Sequence, residues 1–264
     1  MRKLICVLAL IAVSCTVKEN RFFCPAWCIV YSDGYIAQGC GGPLTCNIAI
    51  EENSNYQFGR KEFTDFTTKG DLVLEVPRNE EIYVDVFCGQ DGMELIESVL
   101  KIPMGCCCDS IYAGHGQVFI SGEEGETGLP LNKDFASIIV EVKGVVESEN
   151  PFRLRIRGNV DGYELPGGKP HKGEFDYMPE SENGTVFCAR VPRQLDDSLM
   201  MDIIHKDDGS LVTSQELGKI IERMGYDWSS RDLRDISIGV EVSKAVFSIE
   251  IEAWDESETI TLII

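Results

Sequence analysis

The chain has 264 residues, of which 44 are Asp or Glu and 24 are Lys or Arg, so its formal net charge is −20. Its hydrophobic content of 44% is enough to build a buried core, which excludes an intrinsically disordered protein. The acidity argues against a nucleic-acid-binding face and against a polybasic membrane patch, because both need clustered cations. The length suits one large domain or two of ordinary size.

The N-terminal segment has the pattern of a bacterial export signal. Arg2 and Lys3 precede an apolar run over residues 4–13, which is shorter than the roughly 20 residues that a membrane-spanning helix needs. Ala-Val-Ser-Cys at residues 12–15 resembles a lipoprotein processing site. We therefore predict a signal peptide over residues 1–14 and a lipid on the thiol of Cys15, which tethers the mature chain to the outer membrane. An ordinary cleaved signal peptide is the alternative.

Cysteine is abundant, with eleven residues in the chain. Nine remain once Cys6 leaves with the signal and Cys15 carries the lipid. Export permits disulfide bonds, and an odd number leaves at least one thiol free or paired between chains. The spacing of Cys24 and Cys28 suits a metal, but the consecutive triplet at residues 106–108 does not, since neighbouring side chains on a strand point to opposite faces. Disulfide bonds or buried thiols are favoured, and we expect no metal or cofactor.

Strand-like segments broken by Gly, Asp and Asn fill the first half of the mature chain. Hydrophobic runs, two of them clearly alternating with polar residues, predict strands at residues 28–31, 71–76, 82–87 and 117–120. Residues 93–100 fit either a helical turn or another strand. Residues 121–130 are polar, rich in Gly and end in Pro, so they are the best candidate for a domain boundary. The predicted domains are residues 15–128 and 129–264.

The second half adds further strands at a spacing typical of β-sandwiches. They are predicted at residues 137–142, 152–157, 184–191, 198–204, 236–242, 245–251 and 259–264. One helix is also predicted, with Thr213 as N-cap, Glu216 completing a capping box and Gly225 as a left-handed C-terminal cap. Its apolar face comprises Leu217, Ile220, Ile221 and Met224.

The sequence contains no recognisable catalytic motif. Its three histidines lie outside any metal-hydrolase pattern, and neither a nucleophile elbow nor a phosphate-binding loop occurs. His171 and Glu174 fall in a segment rich in Gly and Pro, where a solvated loop histidine is the favoured interpretation. Residues 207–209 predict a hairpin turn rather than a calcium site. We therefore predict a protein without enzymatic activity.

Several short motifs occur in a fixed order along the chain. They are Cys-Pro at 24–25, Asp-Ser-Ile-Tyr-Ala at 109–113, Leu-Asn-Lys-Asp-Phe-Ala-Ser-Ile-Ile at 131–139, Phe-Arg-Leu-Arg-Ile-Arg-Gly-Asn-Val-Asp-Gly at 152–162, Gly-Lys-Pro-His-Lys-Gly-Glu-Phe at 168–175, Val-Pro-Arg-Gln at 191–194, Gly-Tyr-Asp-Trp at 225–228 and Asp-Leu-Arg-Asp-Ile at 232–236. This order resembles the FimB/Mfa-type fimbrial anchor lipoproteins of the Bacteroidetes. The many cysteines and the triplet depart from that family.

The resemblance implies an all-β fold of two tandem transthyretin-like Greek-key β-sandwich domains, with one short helix in the C-terminal domain. It implies an outer-membrane lipoprotein at the base of a fimbrium, which holds the fibre to the cell and limits its length. The implied partners are fimbrial structural subunits, joined by donor-strand exchange, in which a terminal strand of one subunit completes a sheet of the next.

The C-terminal segment is the candidate donor strand. Its residues are Thr259, Ile260, Thr261, Leu262, Ile263 and Ile264, and the apolar side chains recur at every second position. An apolar strand at a free terminus aggregates if it stays unpaired. Pairing of this strand within its own sandwich is the equally favoured alternative.

A surface lipoprotein that binds glycans for polysaccharide capture is the alternative function. It predicts exposed aromatic side chains that form a platform. The chain has only three tryptophans, spread over its length, so packing in the core is the favoured interpretation of Trp27, Trp228 and Trp254.

Overall fold

The computed structural model describes the backbone of residues 24–31, 44–52, 55–56, 59–63, 72–146, 150–181, 183–243, 246–252 and 257–263. Side chains are described for residues 24–30, 73, 75–146, 150–181 and 183–241. The predicted signal peptide, Cys15, Trp254 and Ile264 lie outside these ranges.

Strands make up most of the described chain. In order they are β1 (Ala26–Tyr31), β2 (Leu44–Glu52), β3 (Asn55–Tyr56), β4 (Gly59–Phe63), β5 (Leu72–Val76), β6 (Glu81–Cys88), β7 (Glu94–Ile96), β8 (Val99–Lys101), β9 (Tyr112–Phe119), β10 (Glu124–Gly128), β11 (Asn132–Lys133), β12 (Phe135–Lys143), β13 (Phe152–Glu164), β14 (Lys169–Tyr177), β15 (Val186–Pro192), β16 (Met200–His205), β17 (Leu211–Gln215), β18 (Ile236–Ser243), β19 (Val246–Glu252) and β20 (Ser257–Ile263). The helix α1 covers Leu217–Arg223. Within the described residues, the prediction of an all-β fold with one short helix is confirmed.

Two sheets enclose a first hydrophobic core. One has the strand order β10–β1–β5, and the other has the order β11–β9–β6–β2–β3, with β4 also paired to β2. Successive side chains of a strand point to opposite faces. Ile82, Val84 and Val86 of β6 therefore share one buried face, and they cluster with Cys28 and Val30 of β1. Burial of these side chains holds the two sheets against each other.

Two further sheets enclose a second, larger core. Their strand orders are β15–β12–β18–β19–β20 and β17–β16–β13–β8–β7, with β14 also paired to β13. Alternation along β12 buries Ile138, Val140 and Val142 and leaves Ile139 and Glu141 exposed. The buried face of β12 belongs to the same cluster as side chains of β13, β16, β18 and α1.

The two pairs of sheets are not formed by two consecutive halves of the chain, because some strands cross from one pair to the other. β7 and β8 precede β9, yet they extend the sheet of β13, and β11 pairs with β9. The strand alternative for residues 93–100 is thus confirmed. Residues 121–130, the candidate domain boundary, contain β10, a strand that the sequence did not indicate and that backbone hydrogen bonds hold parallel to β1. The domain boundary between residues 128 and 129 and the Greek-key connections stay predictions.

The helix begins at Leu217, which is fully buried. The predicted capping box was wrong, since Thr213 lies in β17 and the N-cap Glu216 makes no side-chain cap hydrogen bond. Pairing of β17 with β16 has outweighed the local capping preference. Gly225 has φ +81°, as the predicted left-handed cap requires, and residues 207–209 form the predicted turn between β16 and β17.

We expect Ile138→Ala to lower the free energy of unfolding by about 2–5 kcal/mol, because it leaves a cavity in the second core. Ile138 is fully buried, whereas the next residue, Ile139, is 38% exposed on the other face of β12. Ile139→Ala is therefore the matched control, with an expected loss of about 1 kcal/mol or less. Urea unfolding of both variants measures the difference. Equal losses would show that β12 does not face the core as described.

Candidate functional site

The C-terminal strand β20 is the outermost strand of the five-stranded sheet. It pairs antiparallel with β19, and its register joins Ser257–Ile263 to Val246–Glu252. The predicted donor residues that lie within β20 are Thr259, Ile260, Thr261, Leu262 and Ile263. Within one chain the segment thus completes its own sheet, as the alternative interpretation expected. Its donation to a second subunit stays a prediction.

The opposite edge of this sheet, β15, is covered by the connection between β8 and β9. The backbone N–H of Cys108 donates to the carbonyl oxygen of Arg190 at 3.1 Å, and the N–H of Arg190 donates to Sγ of Cys107 at 3.1 Å. Nε of Arg190 donates to the carbonyl oxygen of Cys108 at 2.8 Å. These contacts occupy backbone groups that would otherwise template another strand. The sheet is therefore closed at Arg190 on one side and ends in β20 on the other.

The cysteine triplet occupies three different environments. Cys106 is exposed, Cys107 is half-buried and Cys108 is buried, and all three are free thiols. Burial raises the pKa of the Cys108 thiol well above its ordinary value, so this thiol stays protonated and unreactive. Cys28 is likewise a buried free thiol, whereas Cys88 forms a disulfide bond. Among the residues with described side chains, no three His, Cys, Asp or Glu are arranged to hold a metal ion.

A buried charge cluster, here called the His115 cluster, joins the two pairs of sheets. It consists of Asp85, His115, Asp134 and Arg193. Asp85 on β6 lies opposite His115 on β9, and Nδ1 of His115 donates to its Oδ1 at 2.8 Å. The same oxygen accepts the N–H of Gly167 at 2.9 Å, from the turn between β13 and β14. Asp85 is 1% exposed, and a carboxylate so deeply buried needs such donors.

Asp134 and Arg193 form the second half of the cluster. Nε and Nη2 of Arg193 donate to Oδ1 of Asp134 at 2.9 and 2.6 Å. Nη1 donates to the carbonyl oxygens of Trp228 and Ser230. The hydroxyl of Tyr163 donates to the backbone carbonyl of Asp134. A guanidinium can satisfy several acceptors at once, so Arg193 ties the start of β12 and the end of β15 to the segment after α1.

Three motifs that carry the family resemblance meet at Arg193. Asp134 lies in the motif at residues 131–139, Arg193 in the motif at 191–194 and Trp228 in the motif at 225–228. These motifs are distant in sequence, and their hydrogen bonds bring them together. They therefore contribute to the junction of the fold.

The two carboxylates control the protonation of His115. Burial alone would lower its pKa, but Asp134 and Asp85 outweigh burial and raise the pKa from 6.5 to about 9. Nε2 of His115 lies 4.0 Å from Oδ2 of Asp134, so both ring nitrogens face a carboxylate. His115 is thus an imidazolium at neutral pH, and Gly168 is packed so closely against its ring that a Cβ atom there would overlap it.

His171 lies on β14 and not in a solvated loop, so that prediction was wrong. Its Nδ1 donates to Oδ1 of Asp161 on β13 at 2.7 Å, and Oδ2 of Asp161 also pairs with Nζ of Lys101 on β8 at 3.0 Å. Of the Gly and Pro residues that suggested a loop, those at residues 166–168 form the hairpin turn between β13 and β14, whereas Pro170 and Gly173 lie in β14. Pro-Gly-Gly at residues 166–168 is the signal that could have indicated this hairpin.

Core packing, the predicted role of the tryptophans, is confirmed for one of the two that the structure describes. Trp228 is 7% exposed and packs in the second core, which confirms the prediction. Trp27 is 45% exposed on β1, so core packing was wrong for this residue. It lies on the face of β1 opposite to the buried Cys28, because successive side chains alternate.

The fold is similar to those of three solved structures over nearly its whole length. The fimbrial anchor protein Mfa2 from Porphyromonas gingivalis is 12% identical, with a TM-score of 0.66 over 90% of this chain and 98% of that chain. A candidate adhesin from Bacteroides ovatus is 11% identical, with a TM-score of 0.64 over 92% and 97% of the two chains. A candidate polysaccharide-binding protein from Bacteroides thetaiotaomicron is 14% identical, with a TM-score of 0.62 over 91% and 98%.

No protein-family model and no curated protein matches the sequence. The resemblance that the motif order predicted is confirmed at the level of the fold, which this chain shares with Bacteroidetes fimbrial and adhesin structures. No helix in the described part of the chain has the length and apolar character that crossing a membrane requires.

We expect His115 to make the stability of the protein depend on pH. Its folded-state pKa of about 9 lies above its ordinary value of 6.5, so its contribution is complete below pH 6.5 and is lost as the pH rises through 9. The contribution is on the order of 3 kcal/mol. Urea unfolding from pH 6 to pH 10 should show a smaller decline for His115→Gln than for the unmodified protein. An identical decline in both proteins would contradict the assignment.

Proposed function

We propose that this protein is an outer-membrane lipoprotein that anchors a fimbrium to the cell or joins it as an accessory subunit. The export signal at residues 1–14 and the acceptor Cys15 support attachment through a lipid. The fold shared with Mfa2 over most of both chains supports a role in the same kind of assembly. The proposed role is structural, and the absence of a recognisable catalytic motif in the sequence agrees with it.

The observation that carries this proposal is the position of β20. It is the last strand of the described chain, and β19 is its one neighbour in the strand order of the sheet. Exchange into another subunit would replace backbone hydrogen bonds to β19 with equivalent bonds to the partner. The alternation of Ile260, Leu262 and Ile264 in the sequence would set the register in that partner, because every second residue of an extended strand falls on the same face.

The covered edge at β15 supports growth in one direction. A sheet with two open edges can add strands at both sides and form uncontrolled aggregates. Here the loop that contains Cys107 and Cys108 occupies the edge at Arg190, so strand addition is favoured at the side of β20.

The lipid attachment is tested by comparing the native protein with a Cys15→Ala strain. Isolation from detergent-solubilised outer membranes should yield an SDS-resistant ladder of one other protein, identified by mass spectrometry. In the Cys15→Ala strain the ladder should appear in the medium, because the tether is lost. Cys24→Ala, which removes an exposed free thiol, is the control and should leave the ladder on the membrane. A lone lipoprotein without a ladder would refute the fimbrial role.

Strand exchange is tested by locking β20 to β19. Ser248 and Thr261 are direct partners in the register, so their Cα atoms lie about 4.5–5.5 Å apart, within reach of a disulfide bond. Oxidised Ser248→Cys/Thr261→Cys protein should fold normally but fail to assemble with the fibre subunit, and reduction should restore assembly. The unmodified protein, treated with the same reductant, controls for the native disulfide bond. Full assembly of the locked protein would exclude donation of this strand.

A further inference from the structure

A cleft of about 500 Å³ lies between the first pair of sheets and the hairpin of β13 and β14. We call it the Tyr83 cleft. Its lining residues are Tyr83, Ser98, Val99, Glu164, Leu165, Pro166, Lys169 and His171. Tyr83 comes from β6, and the other residues come from β7 to β8 and from β13 to β14. Its volume lies within the range of small-ligand sites, and its walls come from both pairs of sheets.

Contacts with Asp161 fix the position of His171 in the cleft. Nδ1 of His171 is held by Oδ1 of Asp161, and Nζ of Lys101 neutralises the same carboxylate. The side chain of Asp161 is only 5% exposed, and Gly173 leaves room for it, since a Cβ atom at Gly173 would overlap the carboxylate. An ionised carboxylate only accepts hydrogen bonds, so Nδ1 carries the proton. Nε2 is then the ring atom that a ligand in the cleft can engage.

The remaining walls combine hydrogen-bonding groups with apolar surface. Glu164 and Lys169 are direct partners across the hairpin, so an acceptor and a donor lie side by side. Ser98 adds a hydroxyl group that can donate and accept. The ring of Tyr83 and the side chains of Val99, Leu165 and Pro166 supply the apolar part. A sugar ring has the complementary pattern, with apolar C–H faces and hydroxyl groups around its edge.

The charges of the cleft favour an uncharged ligand. Lys169 offsets Glu164, and Lys101 offsets Asp161 beneath His171. The whole chain has a formal net charge of −20, which repels polyanions at long range. A peptide partner would favour deep apolar pockets for anchoring side chains. Five of the eight lining residues have polar side chains, so the cleft offers little room for such an anchor.

We propose that the Tyr83 cleft binds a neutral oligosaccharide, with the ring of Tyr83 against a sugar face and with His171, Glu164 and Lys169 bonded to its hydroxyl groups. This activity would give the protein an adhesive function in addition to a fimbrial one. It does not depend on the fimbrial role, because it uses neither β20 nor the lipid.

The test is isothermal titration calorimetry of the full mature protein in detergent. Four neutral hexasaccharides serve as probes: maltohexaose, cellohexaose, xylohexaose and mannohexaose. We expect at least one probe to bind, and His171→Ala and Tyr83→Ala each to weaken that binding at least about tenfold. Lys169→Ala, at an exposed position, is a further variant that should fold even if the others do not. Thermal unfolding of each variant reports whether it is folded.

Trp27→Ala is the matched control, because Trp27 is an exposed aromatic residue outside the cleft. It should leave the affinity unchanged. Loss of binding in Trp27→Ala, with none in His171→Ala, would place the site elsewhere and overturn the proposal. So would the absence of binding by all four probes, or stronger binding of oligogalacturonate or of a Gly-Ser hexapeptide. None of these assays contains a fimbrial subunit, so their failure is separate from failure of the fimbrial proposal.

Discussion

The buried carboxylate of Asp85 ties the two pairs of sheets together. It accepts one hydrogen bond from His115 of its own sheet and another from the backbone of Gly167, in the hairpin turn of the other pair. Removal of either donor within the assembled fold would leave the buried Asp85 incompletely paired, which costs several kcal/mol. The positive charge of His115, maintained by Asp85 and Asp134, completes this arrangement. The relative placement of the four sheets therefore depends on the His115 cluster.

The connections that cross between the sheets serve several purposes at this junction. The chain from β8 to β9 leaves the second pair of sheets, covers the edge of β15 with Cys107 and Cys108, and enters the first pair. The turn after β13 contacts Asp85 through Gly167 and forms part of the Tyr83 cleft through Leu165 and Pro166. These two connections thus cover the edge of β15, join the two pairs of sheets and form part of the cleft. At the edge opposite to β15, the five-stranded sheet ends in β20.

Sequence patterns succeeded where local and tertiary preferences agree. The alternation at residues 71–76 predicted a strand, which is β5, and Gly225 predicted the end of the helix, because both depend on side-chain periodicity or on one backbone angle. Patterns failed where pairing partners decided the outcome. No strand was predicted within residues 121–130, yet β1 pairs with part of them as β10. Thr213 resembles a helix cap, yet pairing with β16 makes it part of β17.

The sequence by itself determined the fold class, the candidate lipid site at Cys15 and the candidate donor strand, since each of these depends on a continuous run of residues. Only the tertiary structure brought His115 to Asp85 and Asp134, and His171 to Asp161, because these partners are separated along the chain and carry no common spacing. The motifs around Asp134, Arg193 and Trp228 could be identified from the sequence alone. Only the folded structure shows that their hydrogen-bonding groups surround one guanidinium.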